Sequence, residues 1–172
     1  MRVPPSLGLF FGIAIACAEP PAQAKQARRE VDTTSACQVD RIADGDTFYC
    51  AGGEKVRLIG VDAPELNQGV PGRRSQDALT RMIPPGTVLR LELDVQPKDR
   101  YGRTLAYAWR DSGMINERMV RDGWALQYTV PPDIRYSARF RAAERAARIG
   151  EAGLWRDQGF ACVPSEHRKG RC

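Results

Sequence analysis

Three short strand-like stretches, each closed by turn residues, follow one another between residues 37 and 64. They commit the chain to a small sheet-based fold. Val39 and Ile42 precede the turn Ala43-Asp44-Gly45, Thr47-Phe48-Tyr49 runs up to Gly52-Gly53, and residues 56–61 end at Asp62-Ala63-Pro64. Residues 88–95 alternate, with Leu89, Leu91, Leu93 and Val95 against Val88, Arg90, Glu92 and Asp94, as a half-buried strand does. Residues 103–109 supply a fifth stretch. Residues 66–73 read as a loop. Residues 75–83 have helical spacing through Ala78, Leu79 and Met82, and Pro84-Pro85-Gly86 stops them. Residues 116–121 predict a short helix, with Glu117 placed to pair Arg121 at i,i+4. Residues 136–149 predict a longer one, with Tyr136, Phe140, Ala143 and Ala147 as its apolar stripe. Five strands in two groups, with helices between and after them, predict a mainly β, α+β architecture: a small barrel with helices packed on it.

The 172 residues make one ordinary domain with short appendages, and 42% hydrophobic with 27% charged residues is a globular profile. The single histidine, His167, reads as an idle tail residue. Its isolation excludes Ser-His-Asp and Cys-His triads and multi-histidine zinc sites. Chemistry is left to carboxylates, arginines, lysine, tyrosine or a hard metal ion.

Residues 1–24 read as a signal peptide. Arg2 opens them, residues 7–16 form an apolar core too short to span a bilayer, and small-residue cleavage patterns lie at Ala16-Cys17-Ala18 and Ala22-Gln23-Ala24. Pro4, Pro5, Pro20 and Pro21 bracket the run and argue against a buried helix. The reading is export to periplasm or medium. A lipoprotein would acylate Cys17, but Ala14 stands three residues before it rather than leucine, which disfavours that form. Cleavage leaves the net charge at +5 and four cysteines, Cys37, Cys50, Cys162 and Cys172. An even number in an exported chain suggests disulfides. The spacings favour local pairs, Cys37 with Cys50 across a hairpin and Cys162 with Cys172 in the tail, although four cysteines allow three pairings. The chain thus divides into a leader over 25–36, a domain over 37–157 and a disulfide-tied tail over 158–172. No apolar surface stripe is left over, so a monomer is expected.

Asp46, Asp62 and Glu65 fall at strand ends, where carboxylates and main-chain carbonyls make good ligands for a hard cation. An Asp-Gly-Asp alone is usually just a turn. Arg57 shares the parity of Ile59 and Val61, and Arg103 that of Leu105, Tyr107 and Trp109. On an inward-facing parity an arginine is costly without an anion, so each either pairs with a protein carboxylate or awaits a bound one. Carboxylates with arginines suit a phosphate, whose reaction gathers negative charge at phosphorus. The basic balance suits a polyanion. The arginines of helix 136–149 read equally as a solvated face, whereas Lys98 and Arg100 lie beside the Arg103 motif. Trp109, Trp124 and Trp155 read as core.

Four motifs stand in register: Asp44-Gly45-Asp46-Thr47, then Arg57-Leu58-Ile59-Gly60-Val61-Asp62-Ala63-Pro64-Glu65, then Asp99-Arg100-Tyr101-Gly102-Arg103, then Val120-Arg121-Asp122-Gly123-Trp124-Ala125. With Gly153-Leu154-Trp155 after the last helix, the chain over residues 37–157 resembles the thermonuclease (staphylococcal nuclease-like) family. The resemblance implies an OB-fold five-stranded barrel with three packed helices. It also implies a calcium-dependent phosphodiesterase that cleaves DNA or RNA at the 5′-oxygen. By position it makes Asp46 and Asp62 calcium ligands, together with the Ala63 carbonyl. Glu65 orients or deprotonates the attacking water, and Arg57 and Arg103 hold phosphate oxygens. Ala63 stands where threonine is common, the loop after Glu65 is shorter than in the founding member, and a nucleotide-contacting tyrosine pair has no clear match. Tyr101 and Tyr128 are the candidates for that contact, and Lys98 and Arg100 for phosphates. A non-catalytic OB-type binding module would keep the basic face and lose the carboxylates, which this chain retains. An envelope-associated protein on a retired nuclease scaffold, or a phosphodiesterase for a non-nucleic substrate, are the other readings.

Overall fold

The computed structural model describes Met1 and residues 34–172; the expected signal segment 1–24, Cys17 and the leader as far as residue 33 lie outside the described residues. In chain order the elements are β1 (Thr34–Ile42), β2 (Thr47–Cys50), β3 (Lys55–Leu58), β4 (Val61–Asp62), a 3-10 turn (Leu66–Gln68), α1 (Val70–Met82), β5 (Val88–Glu92), β6 (Thr104–Arg110), β7 (Gly113–Met114), α2 (Ile115–Arg121), β8 (Leu126–Gln127), α3 (Ser137–Ile149), a second 3-10 turn (Gly153–Trp155) and α4 (Pro164–His167).

Five strands close a barrel in the order β3-β2-β1-β5-β6, and a parallel pairing of β3 with β6 completes the circle. β1 serves two neighbours. Residues 34–38 pair with β5, residues 39–42 with β2, and an irregularity between Val39 and Arg41 bends the strand where it changes partner. Thr34 to Ala36, expected in the leader, already belong to this strand. Cys37 and Cys50 are disulfide-bonded across β1 and β2, with Cα atoms 5.4 Å apart.

The barrel packs with the helices around Val39, Phe48, Val56, Leu58, Leu89, Leu91, Ala106 and Ala108, joined by Leu79 and Ile83 from the α1 side and by Met119 and Val120 of α2. A second cluster of Ile59, Tyr107, Met114 and Phe140, with Leu105, Trp109 and Tyr136 against it, lies between the barrel and α3. β6 is therefore covered on both faces, its alternate residues dividing between the two clusters. This corrects the inward parity expected for the arginines. Arg57 shares the strand face of Ile59, and Arg103 that of Leu105, Tyr107 and Trp109, away from the main core. Asn116, fully buried, ties the layers: its side-chain amide donates to the Ile59 and Ala106 carbonyls and accepts from the Ala108 N–H.

Other boundaries also shift. α1 starts at Val70, because Pro71 fits the first turn of a helix, so part of the expected loop is helical. β3 stops at Leu58, and Gly60 turns the chain at φ +78° into β4. β5 ends at Glu92, short of Val95. Glu117 pairs with Arg139 of α3 and not with Arg121, whose partner is Asp122.

Candidate active site

Several elements bring carboxylates and cations to one end of the barrel. Asp46 closes the turn between β1 and β2, where the Leu58 N–H donates to its carbonyl at 2.9 Å and holds that turn against β3. Helix α1 pins the same turn: Gln76 donates to the Ala43 carbonyl, and a Cβ on Gly45 would lie 2.0 Å from Ser75 Oγ. Asp62 sits in β4. Glu65 follows it and precedes the 3-10 turn, with its N–H donating to Gln68 Oε1 at 2.7 Å. Gly72 lets α1 run close by, since a Cβ there would meet the Glu65 carbonyl oxygen at 2.1 Å.

Arg57 lies between the two aspartates. Its Nη1 is 2.8 Å from Asp46 Oδ2 and its Nη2 is 3.3 Å from Asp62 Oδ1; it also donates to the Val61 carbonyl at 3.0 Å. Both carboxylates are nearly sealed from water, with side chains 8% and 3% exposed. Asp46 accepts further hydrogen bonds from Thr47 Oγ1 and from the Ala63 N–H. The Ala63 contact is through its N–H; its carbonyl was the expected ligand. Burial pushes the Asp46 carboxyl well above the usual carboxylate range, and Asp44 and Asp62 add to that push against the opposing pull of Arg57 and the Ala63 N–H.

Arg103 enters from the start of β6. Its Nε donates to Asp99 Oδ2 at 2.6 Å within the turn Asp99-Arg100-Tyr101-Gly102. Tyr101, largely exposed, lies under both cations of that turn, its ring centroid 4.8 Å from Arg100 Cζ and 5.5 Å from Arg103 Cζ. A cleft of about 720 Å³ joins these groups. Asp46, Arg57, Glu65, Arg100, Tyr101, Arg103 and Tyr128 line it. Lys98 is exposed and lies off the cleft wall.

Sequence reasoning missed three polar wall residues, Lys55, Gln96 and Arg168, and gave no role to Asp44 and Asp99, which stood in its motifs. Lys55 has the strand parity of Arg57 and was legible in principle; Arg168 had no local signal. It arrives from the tail, which the Cys162–Cys172 disulfide closes. His167, expected to be idle, has Nε2 2.9 Å from Asn67 Oδ1 beside the same site.

The carboxylate oxygens of Asp46 and Asp62 gather here almost out of contact with solvent, and a positive group already sits on Asp62, the Arg168 guanidinium at 2.8 Å. That chemistry fits a hard divalent cation. Among the described residues no group of three or more Asp, Glu, His or Cys side chains is arranged for a metal, so a cation on Asp46 and Asp62 would also need main-chain or water oxygens. Among the described residues no helix is long and apolar enough to cross a membrane.

The family model of the staphylococcal nuclease homologues matches residues 55–157. That span holds Arg57, Asp62, Glu65 and Arg103; Asp46 precedes it and Arg168 follows it. The chain is 36% identical to the thermonuclease of Staphylococcus intermedius over 124 residues, 68% of this chain and 74% of that protein. It is likewise 36% identical to the thermonuclease of Staphylococcus hyicus over 126 residues, 69% and 74% of the two chains. An uncharacterised endonuclease of Haemophilus influenzae shares 33% identity over 168 residues, 95% of this chain and 83% of that one. With the closed OB-type barrel and the carboxylate–arginine cleft in place, these matches make the chain a member of the staphylococcal nuclease family and a hydrolase of the nuclease type.

Proposed function

We propose that the protein is an exported, calcium-dependent nuclease that hydrolyses phosphodiester bonds of DNA or RNA by in-line attack of water. The observation that carries the reading is the convergence of Asp46, Arg57, Glu65 and Arg103 on the wall of one cleft, with Asp62 buried behind it and paired with Arg57. Asp46 and Asp62, with the Ala63 carbonyl, would hold the cation, which when bound would offset the negative charge gathering at phosphorus. Glu65, on the cleft wall and partly open to solvent, takes the proton of the attacking water. Arg57 and Arg103 hold phosphate oxygens and bind them more strongly as charge grows in the transition state. Asp99 aims the Arg103 side chain, and Tyr101 and Arg100 extend a stacking and cationic wall for the neighbouring nucleotide. The two disulfides suit an oxidising compartment, in keeping with export.

The test is digestion of single-stranded DNA and of RNA by the protein from residue 25 onward, with calcium and with a chelator, beside Glu65→Gln. Calcium-dependent cleavage that the variant loses supports the reading. Salt-sensitive binding without cleavage in any divalent metal would replace it with a binding module on a nuclease barrel.

A further inference from the structure

The disulfide-closed segment 162–172 reaches the candidate site. Cys162 and Cys172 close a loop that contains α4, their Cα atoms 5.9 Å apart. Two contacts seat this loop on the 3-10 turn after Glu65. Gln68 Nε2 donates to the Cys162 carbonyl at 2.9 Å, and His167 Nε2 meets Asn67 Oδ1 at 2.9 Å. The same Gln68 accepts from the Glu65 N–H, so one side chain joins the loop to the backbone of the candidate base. From this seat Arg168 spans Asp62 with both terminal nitrogens, at 3.0 and 2.8 Å, and places Nη1 2.9 Å from Glu65 Oε1.

A guanidinium laid on a carboxylate in this way uses both of its oxygens. Asp62 has no solvent to replace that partner, being 3% exposed. A cation that binds Asp62 needs an oxygen that Arg168 holds, and the same arginine occupies Oε1 of Glu65. The competitor is also tethered. A group on a short closed loop stays at a local concentration of roughly millimolar or more, so dilution of the protein does not remove it.

We propose that Arg168 is a built-in competitor for the cation: a positioning residue that holds Asp62 and Glu65 together until a divalent ion displaces it, and so sets the ion concentration at which the site fills. This rests on the cation-dependent reading above. A closed form favoured about tenfold over the open one weakens apparent cation affinity by the same factor.

The experiment is calorimetric titration with calcium chloride alone, without nucleic acid. The proteins are the wild type, Arg168→Ala, Arg168→Lys and the double variant Cys162→Ser/Cys172→Ser. Arg168→Ala should bind calcium about tenfold more tightly. Arg168→Lys should fall between it and the wild type, because an ammonium is a point charge and not a fork. The double serine variant should also bind more tightly than the wild type, since its arginine is no longer held in place. The calcium-induced rise in melting temperature should follow the same order. Equal or weaker binding by Arg168→Ala overturns the inference and leaves the nuclease reading intact. No binding by any of the four overturns the inference together with the calcium part of that reading, while the digestion assay decides the nuclease part separately.

Discussion

Arg57 separates two carboxylates that burial would otherwise set against each other. Replacing it by alanine leaves the buried Asp46 without its ion-pair partner, while Asp62 keeps Arg168, and should cost about 3 kcal/mol of stability, the usual penalty for breaking a buried pair. It should also slow hydrolysis about 100-fold or more, as loss of one charge-stabilising donor does. Urea melts and single-turnover rates separate the two effects. Arg57→Lys should recover part of the stability and little of the rate, because one ammonium cannot bridge both acids. Asp99 makes a second residue-level test. Burial works against its charge, but hydrogen bonds from the Arg103 side chain and from the Arg103 and Tyr101 N–H groups prevail and hold its carboxyl below the usual range. A depressed acid stabilises the fold above its ordinary value of 3.8 and loses that contribution as pH falls through the lower folded value. Asp99→Asn should therefore lose less melting temperature than the wild type between about pH 5 and about pH 3.

At the level of elements, the close passage of α1 over Glu65 is the point to probe. Gly72→Ala drives a methyl into the Glu65 carbonyl, so it should cost about 1–3 kcal/mol and shift Glu65, the proposed base. The expected result is a fall in kcat larger than any change in KM, read from steady-state kinetics on single-stranded DNA. The same region shows what could be read from the chain alone. The barrel strands were legible because alternation and turn residues are local. The start of α1 was hidden, since Gly69-Val70-Pro71-Gly72 has loop composition and only the position of Pro71 marks a first helical turn. The early end of β3 was hidden too, because Gly60 interrupts an apolar run that reads as continuous. In the site, Asp46, Arg57, Asp62, Glu65 and Arg103 stood in motifs whose spacing survives in one dimension. Arg168 did not. It meets Asp62 only because a separate disulfide loop docks on the turn after Glu65, and nothing near either residue announces the pairing.

For the whole molecule, the Cys37–Cys50 bond holds β1 and β2 together just where β1 changes partner. A loop of this size limits the unfolded chain by about 3 kcal/mol, so Cys37→Ser/Cys50→Ser should unfold at markedly lower temperature with the barrel otherwise retained. Circular dichroism melts of oxidised wild type and variant provide the comparison. The parallel pairing of Val56 with Thr104 has a different consequence, one of timing. It is the only parallel contact in the ring of described strands, and it joins strands separated by β4, α1 and β5 in sequence. Contacts of that range are slow to find. Until β6 arrives, β3 and β5 both present open edges with unpaired backbone groups. A chain stopped before Thr104 would have every motif for the first half of the site and no way to close on itself, and its exposed edges would pair with those of its neighbours instead.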